Sequence, residues 1–520
     1  MAQHKPHPYP DAIAPDSRLH PEPPPPPPGM KLPIPPLATP LASLAAKDFG
    51  SSVPPKPQFW AWLAATVAGW AAFAVALLVV SWVLYFIVWL FKTIFQDRPN
   101  FAGGLGEAIG NIVALILVLI MVTATLLTMA ERKWSALMQD RIGPNRARLP
   151  IPGLSERPLK GIPHILADVL KMLFKEDFIP EGATRNKFLF NLAPLLAFAP
   201  AFCLFAVVPV GPEVTFLGKR IALQVARVDW GILYVLALAS LAVFGTALAG
   251  WTSNNKLALL GGLRASAQLV SYEVTLGLTL VGTFILFGTL RLESMVAQQG
   301  PSEALLLSAM RTGGSADGTL VFGWLPGWGA LFQPLGMILF LVAAMAEIKR
   351  APFDTPEGES EIIGYFLEYS GLKSGLFLIA EFAEVVVVSG IVTAIFLGGY
   401  HIPWFEPQLV RALGLTGLAV LQVFTFLVKM LLLIWVQMLA RWAFPRFRFD
   451  QIMRLGWKMM LPVSLANVVL TAGIWLWAGR EGLAWMGILQ WAALLGFIAL
   501  SAGAKESADP GSHTSTVAAH

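Results

Sequence analysis

Residues 346–371 read AEIKRAPFDTPEGESEIIGYFLEYSG, and within 22 positions they carry Glu347, Asp354, Glu357, Glu359, Glu361 and Glu368. Apolar runs at about 328–346 and 375–398 flank the stretch, each near the ~20 residues that a helix needs to cross a bilayer. Those flanks decide the fold class: the stretch is a loop between two membrane helices, in a chain that is 56% hydrophobic and only 13% charged. Carboxylates are costly near lipid, so a cluster of them between two spans marks a functional site by default.

Further apolar runs lie at about 61–91, 108–130, 188–210, 230–251, 267–289, 414–440, 461–478 and 484–502, which makes about ten candidates of spanning length. The predicted architecture is an all-α polytopic membrane protein. It is a bundle of about 9–10 transmembrane helices with a cytoplasmic amphipathic helix and an acidic loop. A soluble α/β enzyme is excluded. The run 484–502 is either a span or an interfacial helix. The single cysteine, Cys203, permits neither an intrachain disulfide nor a thiolate-held metal or iron–sulfur cluster. Residues 1–58 are Pro-rich, with PEPPPPPPG at 21–29. Proline lacks an amide donor and favours an extended chain, so a disordered tail is expected there. A partner-binding proline arm is the other reading. Residues 503–520 are expected to form a second disordered tail.

Basic residues orient the bundle. The alternate loops 131–187, 252–266, 347–374 and 441–460 hold about 21 Lys or Arg against about 8 in the opposite set. The richer set is expected on the cytoplasmic side, together with the N-terminus and the acidic stretch. Within the first loop, Ile165, Val169, Met172 and Leu173 recur at helical spacing among Asp168, Lys171, Lys175 and Glu176. That pattern predicts an amphipathic helix over about 164–178, lying on the membrane. Periodicity alone does not separate a functional helix from a plain anchor.

Three constellations can carry chemistry. Glu131-Arg132-Lys133 closes the span 108–130, and Arg141-Ile142-Gly143-Pro144-Asn145-Arg146 follows as a turn with basic flanks. Basic anchoring explains the lysine and arginines but not Glu131. Glu273 lies inside a span, where it is either a proton carrier or a helix-locking partner. In the acidic stretch, continuous helix would place Glu357, Glu361 and Glu368 on one face and turn Glu359 away. Shared protons among those acids are one reading, and a solvated acidic loop that binds a basic partner is the other. Glu381 and Glu384 stand at i, i+3 inside the next span, with Lys429 one span later as a basic counterpart. No nucleotide-binding glycine loop, His-rich metal site or nucleophile motif stands out.

Five stretches in order, ERKWSALMQDRIGPNRA, DVLKMLFKEDFIP, GWTSNNKLALLGGLRASAQLVSYE, AEIKRAPFDTPEGESE…EYSG and PRFRFDQIMRLGWKMMLP, closely resemble the NuoH-type membrane subunit of respiratory complex I, the proton-translocating NADH:quinone oxidoreductase. The resemblance covers about 108–478. It implies a NuoH-type membrane domain at 108–480, preceded by an extra transmembrane helix and connection at 59–107 and followed by an extra apolar helix at 481–502. By motif position it implies Glu131, Arg132, Arg141 and Asp168 at a quinone chamber or its access route. Arg350, Asp354, Glu357, Glu359 and Glu361 would lie on the loop beneath that chamber. Glu368, Glu273 and Glu381 would continue a proton-coupling chain, with Glu384 beside them. The chain departs from the family pattern in the spacing of its acids, with one residue fewer between Glu361 and Glu368 than relatives usually carry and so a shifted register in this loop, and at two further positions. Lys349 stands where a neutral residue is common, and Ser240 replaces a glutamate of some relatives, with Glu384 as a candidate substitute.

The resemblance further implies a multi-pass component of a prokaryotic inner membrane. No cofactor would be bound by this chain, quinone would be the substrate, and FMN and iron–sulfur clusters would sit in partner subunits. The implied partners are the peripheral-arm subunits of the quinone site, small membrane subunits, antiporter-like subunits and lipid, with no nucleic acid. Two other classes are weighed beside it: the membrane anchor of an energy-converting hydrogenase-like complex, and a proton-coupled secondary transporter, which internal repeats and broken midplane helices would favour.

Overall fold

The computed structural model describes residues 56–96, 105–141, 143–145, 163–301, 320–321, 325–358, 361–362 and 364–507. The Pro-rich tail up to residue 55, Arg146, Glu359 and the tail from residue 508 lie outside the described residues. The chain divides into two compact units, Met1–Phe73 and Ala74–His520. In the first, the described part is the start of helix α1 (Lys56–Gln96). The second begins within α1 and holds all the other elements.

Helices dominate: α2 (Leu105–Met138), α3 (Pro163–Phe174), α4 (Lys187–Val207), α5 (Gly231–Thr252), α6 (Lys256–Phe287), α7 (Pro334–Glu347), α8 (Gly371–Phe396), α9 (Glu406–Ala443) and α10 (Leu461–Ser507). Helix α10 is entered through Phe449–Arg454 and a π-helical turn at Leu455–Met460. Among the described residues, eight helices are long and apolar enough to cross a membrane, and α7 is shorter, with 14 residues. The runs 461–478 and 484–502 are the two arms of α10. They are separated at Gly479, whose φ of 61° and ψ of −150° break the helix. A small antiparallel hairpin, β1 (Gly211–Phe216) and β2 (Lys219–Leu223), joins α4 to α5.

Local sequence explains the boundaries. Helix α6 begins eleven residues before the expected 267, because Asn255 caps it: its Oδ1 accepts from the Leu257 amide at 2.9 Å. Gly288, with φ of 64°, ends it in the left-handed conformation. The expected loop 252–266 is therefore a three-residue turn followed by helix. Likewise 449–460, expected in a loop, is helical. The amphipathic helix spans 163–174 rather than 164–178.

Both terminal helices pack against the rest of the unit. In α1, the Tyr85 hydroxyl donates to the Pro212 carbonyl at 3.1 Å, and the Tyr85 ring stacks on Phe216. In the second arm of α10, Trp491 Nε1 donates to the Ala330 carbonyl at 3.0 Å. A buried network also joins Gln333 to Asn467 (2.9 Å) and Thr471 (2.8 Å), with Gln490 reaching Asn467. Paired polar groups of this kind fix one helix arrangement where lipid offers no competing partner.

The described residues of the acidic stretch, 348–358, 361–362 and 364–370, form turns rather than helix. The expected alignment of Glu357, Glu361 and Glu368 on one helical face is thus overturned. Pro352 and Pro356 lack amide donors, Lys349 has φ of 62° and Gly364 has φ of 125°, so a continuous helix is blocked from both ends. The loop lies on α6 at Gly261, where an added Cβ would come 2.9 Å from the Tyr365 nitrogen and 3.2 Å from the Pro356 oxygen. Gly261→Leu is therefore expected to push the loop off α6. Limited proteolysis should then cut at 356–365 at least several-fold faster than in the unsubstituted protein.

Candidate functional site

Helix α8 carries Glu381 and Glu384 and is the most enclosed span, with 72% of its apolar window buried. These acids therefore face protein rather than lipid. Around them the loop 348–370, the end of α2 and the end of α9 build one connected charged site.

At one end, Glu131 is buried in the last turns of α2. One of its oxygens accepts from Arg350 at 2.6 Å and the other from Arg441. The Arg350 guanidinium also lies 3.9 Å above the Phe382 ring. A buried carboxylate needs such partners, and two arginines from distant elements supply them. Arg132, one residue on, pairs with Asp168 of α3 at 2.6 Å. This exposed pair ties α3 to α2. Arg141 stays apart: its Nε donates to Gln139, and it pairs with no acid among the described residues.

Lys349, the residue before Arg350, turns toward the acids of α8. It is only 3% exposed, and its Nζ lies 3.6 Å from Glu384. Burial alone would pull this ammonium down, but Glu384, Glu381, Glu357 and Glu347 surround it and hold it above its ordinary value. Adjacent basic residues thus reach two different acids, Lys349 to Glu384 and Arg350 to Glu131. The Glu357 carboxyl meets Glu381. Burial and then that second carboxyl push Glu357 well above the usual carboxylate range. Tyr365 donates to Glu381 at 3.4 Å. Arg446 donates to the backbone carbonyl of Asp354.

The raised Glu357 value has a consequence for stability. The folded state favours its protonated form more than the unfolded chain does, so its contribution is fully present below the unfolded value and is lost as pH rises through the folded one. A thermal unfolding series should show stability falling with rising pH above the ordinary carboxylate range, and Glu357→Gln should flatten that slope.

Beyond Lys349, Glu347 closes α7 and borders a cavity of about 40 Å³ with Lys349 and Glu384. Leu236, Leu269 and Phe340 form part of its apolar wall. Glu347 also lies within electrostatic reach of Glu273 on α6. Glu273 accepts from Ser240 of α5, so the serine at the departing position holds this carboxyl directly.

Two expected members stand elsewhere. Glu361 is exposed and pairs with Arg264 of α6 at 2.8 Å, which holds its carboxyl below the usual range. Glu368 accepts from Asn255 at 2.7 Å and so steadies the cap of α6. Lys429 is not the counterpart of Glu381 and Glu384. Its Nζ donates to the carbonyls of Leu397, Gly399 and His401 and ties down the turn after α8. Sequence reasoning missed Arg441, Tyr365 and the place of Lys349. Only Lys349, a lysine inside an acidic run, carried a local signal.

On α3, Ile165 and Met172 turn inward, and Met172 packs against Gly375 of α8. Leu166, Val169, Leu170 and Leu173 form an exposed apolar stripe.

The chain has recognisable relatives. The family model described as NADH dehydrogenase matches residues 110–472. The first H-type subunit of the NADH-quinone oxidoreductase of Geobacter metallireducens is 40% identical over 363 residues, covering 70% of this chain and 94% of the relative. The H-type subunit of Bdellovibrio bacteriovorus is 39% identical over 381 residues, and NADH-quinone oxidoreductase subunit 8 of Rhodothermus marinus is 39% identical over 363; each match covers 69% of this chain and 94% of the relative.

Proposed function

From the premise that this chain belongs to the NADH dehydrogenase family, as a NuoH-type membrane subunit of NADH-quinone oxidoreductase, we propose that it forms the membrane wall of the quinone chamber and couples quinone reduction to proton movement. The observation that carries the reading is the run of acids from Glu131 through Glu384, Glu381 and Glu357 to Glu347 and Glu273, held together by Arg350 and Lys349.

The chemistry follows from charge. Reduction of a quinone to a quinol consumes two electrons and two protons. Negative charge that develops near Arg132 and Asp168 draws on the Arg350–Glu131–Arg441 cluster. A change in that cluster alters the field on Glu357 and Glu381, two carboxyls in contact that cannot both ionise cheaply. A proton taken up there passes toward Glu347 and Glu273. The cavity beside Lys349 has room for roughly two or three waters, which would bridge the gap. The partners that deliver electrons are peripheral-arm subunits carrying FMN and iron–sulfur clusters, and the protons continue into small membrane subunits and antiporter-like subunits. The exposed stripe on α3 faces the quinone tail or the peripheral arm. The loop 348–370 lies on the cytoplasmic side of a prokaryotic inner membrane.

Photolabelling of the assembled complex with a quinone analogue tests the chamber. Labels within 131–180 are expected, and labels confined to other subunits would leave this chain a scaffold. The proton route makes a sharper distinction among the acids. Glu361→Gln removes an exposed ion pair worth about 0–1 kcal/mol. Quinone reduction and proton translocation should stay within about twofold of the unsubstituted complex.

A further inference from the structure

On the face opposite the 348–370 loop, the end of α1, the start of α2 and the β1–β2 hairpin border an open polar cavity of about 260 Å³. Lys92, Glu107, Asn111, Glu213, Arg220 and Arg227 line it. Both acids are already engaged. Glu107 binds Lys92 at 2.7 Å and the Ala222 amide at 3.2 Å, and Glu213 binds Arg227 at 3.0 Å. Lys92 also donates to the Arg220 carbonyl. The Arg220 guanidinium has no acidic partner among the described residues, so the cavity carries one surplus positive charge. On its inner wall, Asn111 donates to the Gln224 carbonyl at 2.9 Å, while its Oδ1 is buried without a hydrogen-bond donor.

Depth narrows the ligand. Lys92 lies in the last turn of the apolar stretch Ala68–Phe95, and Glu107 lies in the first turn of Leu105–Met138. The cavity therefore opens where two helices leave the apolar layer, at the level of lipid headgroups. A guanidinium fork with a nearby ammonium matches a phosphate group. Lys92 stands on α1, which lies outside the residues 110–472 that the family model matches, whereas Asn111, Glu213, Arg220 and Arg227 lie inside them.

We propose that this cavity binds the phosphate of an anionic lipid headgroup, with Arg220 as its main contact and Lys92 beside it. Free phosphate shares that chemistry, and the test separates the two sources. The assembled complex is held in an uncharged maltoside detergent, and the rate at which phenylglyoxal modifies Arg220 is followed by peptide mass spectrometry. Arg448, exposed on the opposite face, is the internal control. Short-chain phosphatidylglycerol is expected to slow modification of Arg220 at least fivefold and to leave Arg448 unchanged. Lys92→Gln should weaken that protection. Equal protection by inorganic phosphate at the same concentration would make free phosphate the ligand and overturn the lipid assignment. Absence of protection by either probe, or equal slowing at Arg448, overturns the proposal whether or not Lys92→Gln assembles.

Discussion

Glu381→Gln is expected to lower NADH-driven quinone reduction by about tenfold, or ~1.4 kcal/mol in the barrier, in a complex that still assembles. Glutamine keeps the shape of the side chain and an oxygen that accepts from Tyr365, so the packing around this buried residue survives. What it removes is the second carboxyl that meets Glu357. With a neutral amide there, Glu357 loses the neighbour that helps to raise it and no longer shares a proton. The expected signature is a complex of normal size and cofactor content with a slowed rate and impaired proton uptake in sealed vesicles. A normal rate with normal uptake would remove Glu381 from the path. The contrast with Glu361→Gln matters as much as the size of the effect, because the two acids stand only 20 positions apart in the sequence. Burial and partners, not composition, set them apart.

Lys349→Met should be the most damaging single change at the site. It leaves the mostly enclosed Glu384 with no cation within ion-pair distance among the described residues and strips the positive charge from among Glu347, Glu357 and Glu381. Removing one partner of a buried pair costs about 3–5 kcal/mol, enough to deplete the assembled complex. Glu384→Gln should be milder, because Lys349 still faces three acids. The double variant Lys349→Met with Glu384→Gln is expected to recover much of the lost assembly, since the pair is then neutral and similar in volume. Complex abundance in membranes, measured for both singles and the double, checks this. Additive losses would mean that the two side chains do not act as a pair.

The membrane helices were largely legible in the sequence, because bilayer thickness imposes a length and composition that a window of residues displays. Helix α6 shows the limit. Its first turns contain Gly261, Gly262 and Arg264, which dilute hydropathy, yet the Asn255 cap starts the helix there. The acidic loop shows another limit. Its acids could be named from the sequence, but their grouping depended on a helix that Pro352, Pro356 and Gly364 forbid. Contacts such as Glu131 with Arg441, 310 residues apart, leave no local trace at all. The departures at Lys349 and Ser240 were visible as isolated oddities. Their meaning came from what they touch, Glu384 and Glu273.

If the site couples the two reactions, the Glu357–Glu381 pair changes its protonation when quinone is reduced. Infrared difference spectroscopy of the assembled complex, oxidised against NADH-reduced with quinone present, reads that change in the stretch of protonated carboxyl groups. The expected result is a carboxyl difference band that is lost or shifted in both Glu357→Gln and Glu381→Gln and retained in Glu361→Gln. A band that is unchanged in all three variants would contradict the coupling role of the pair.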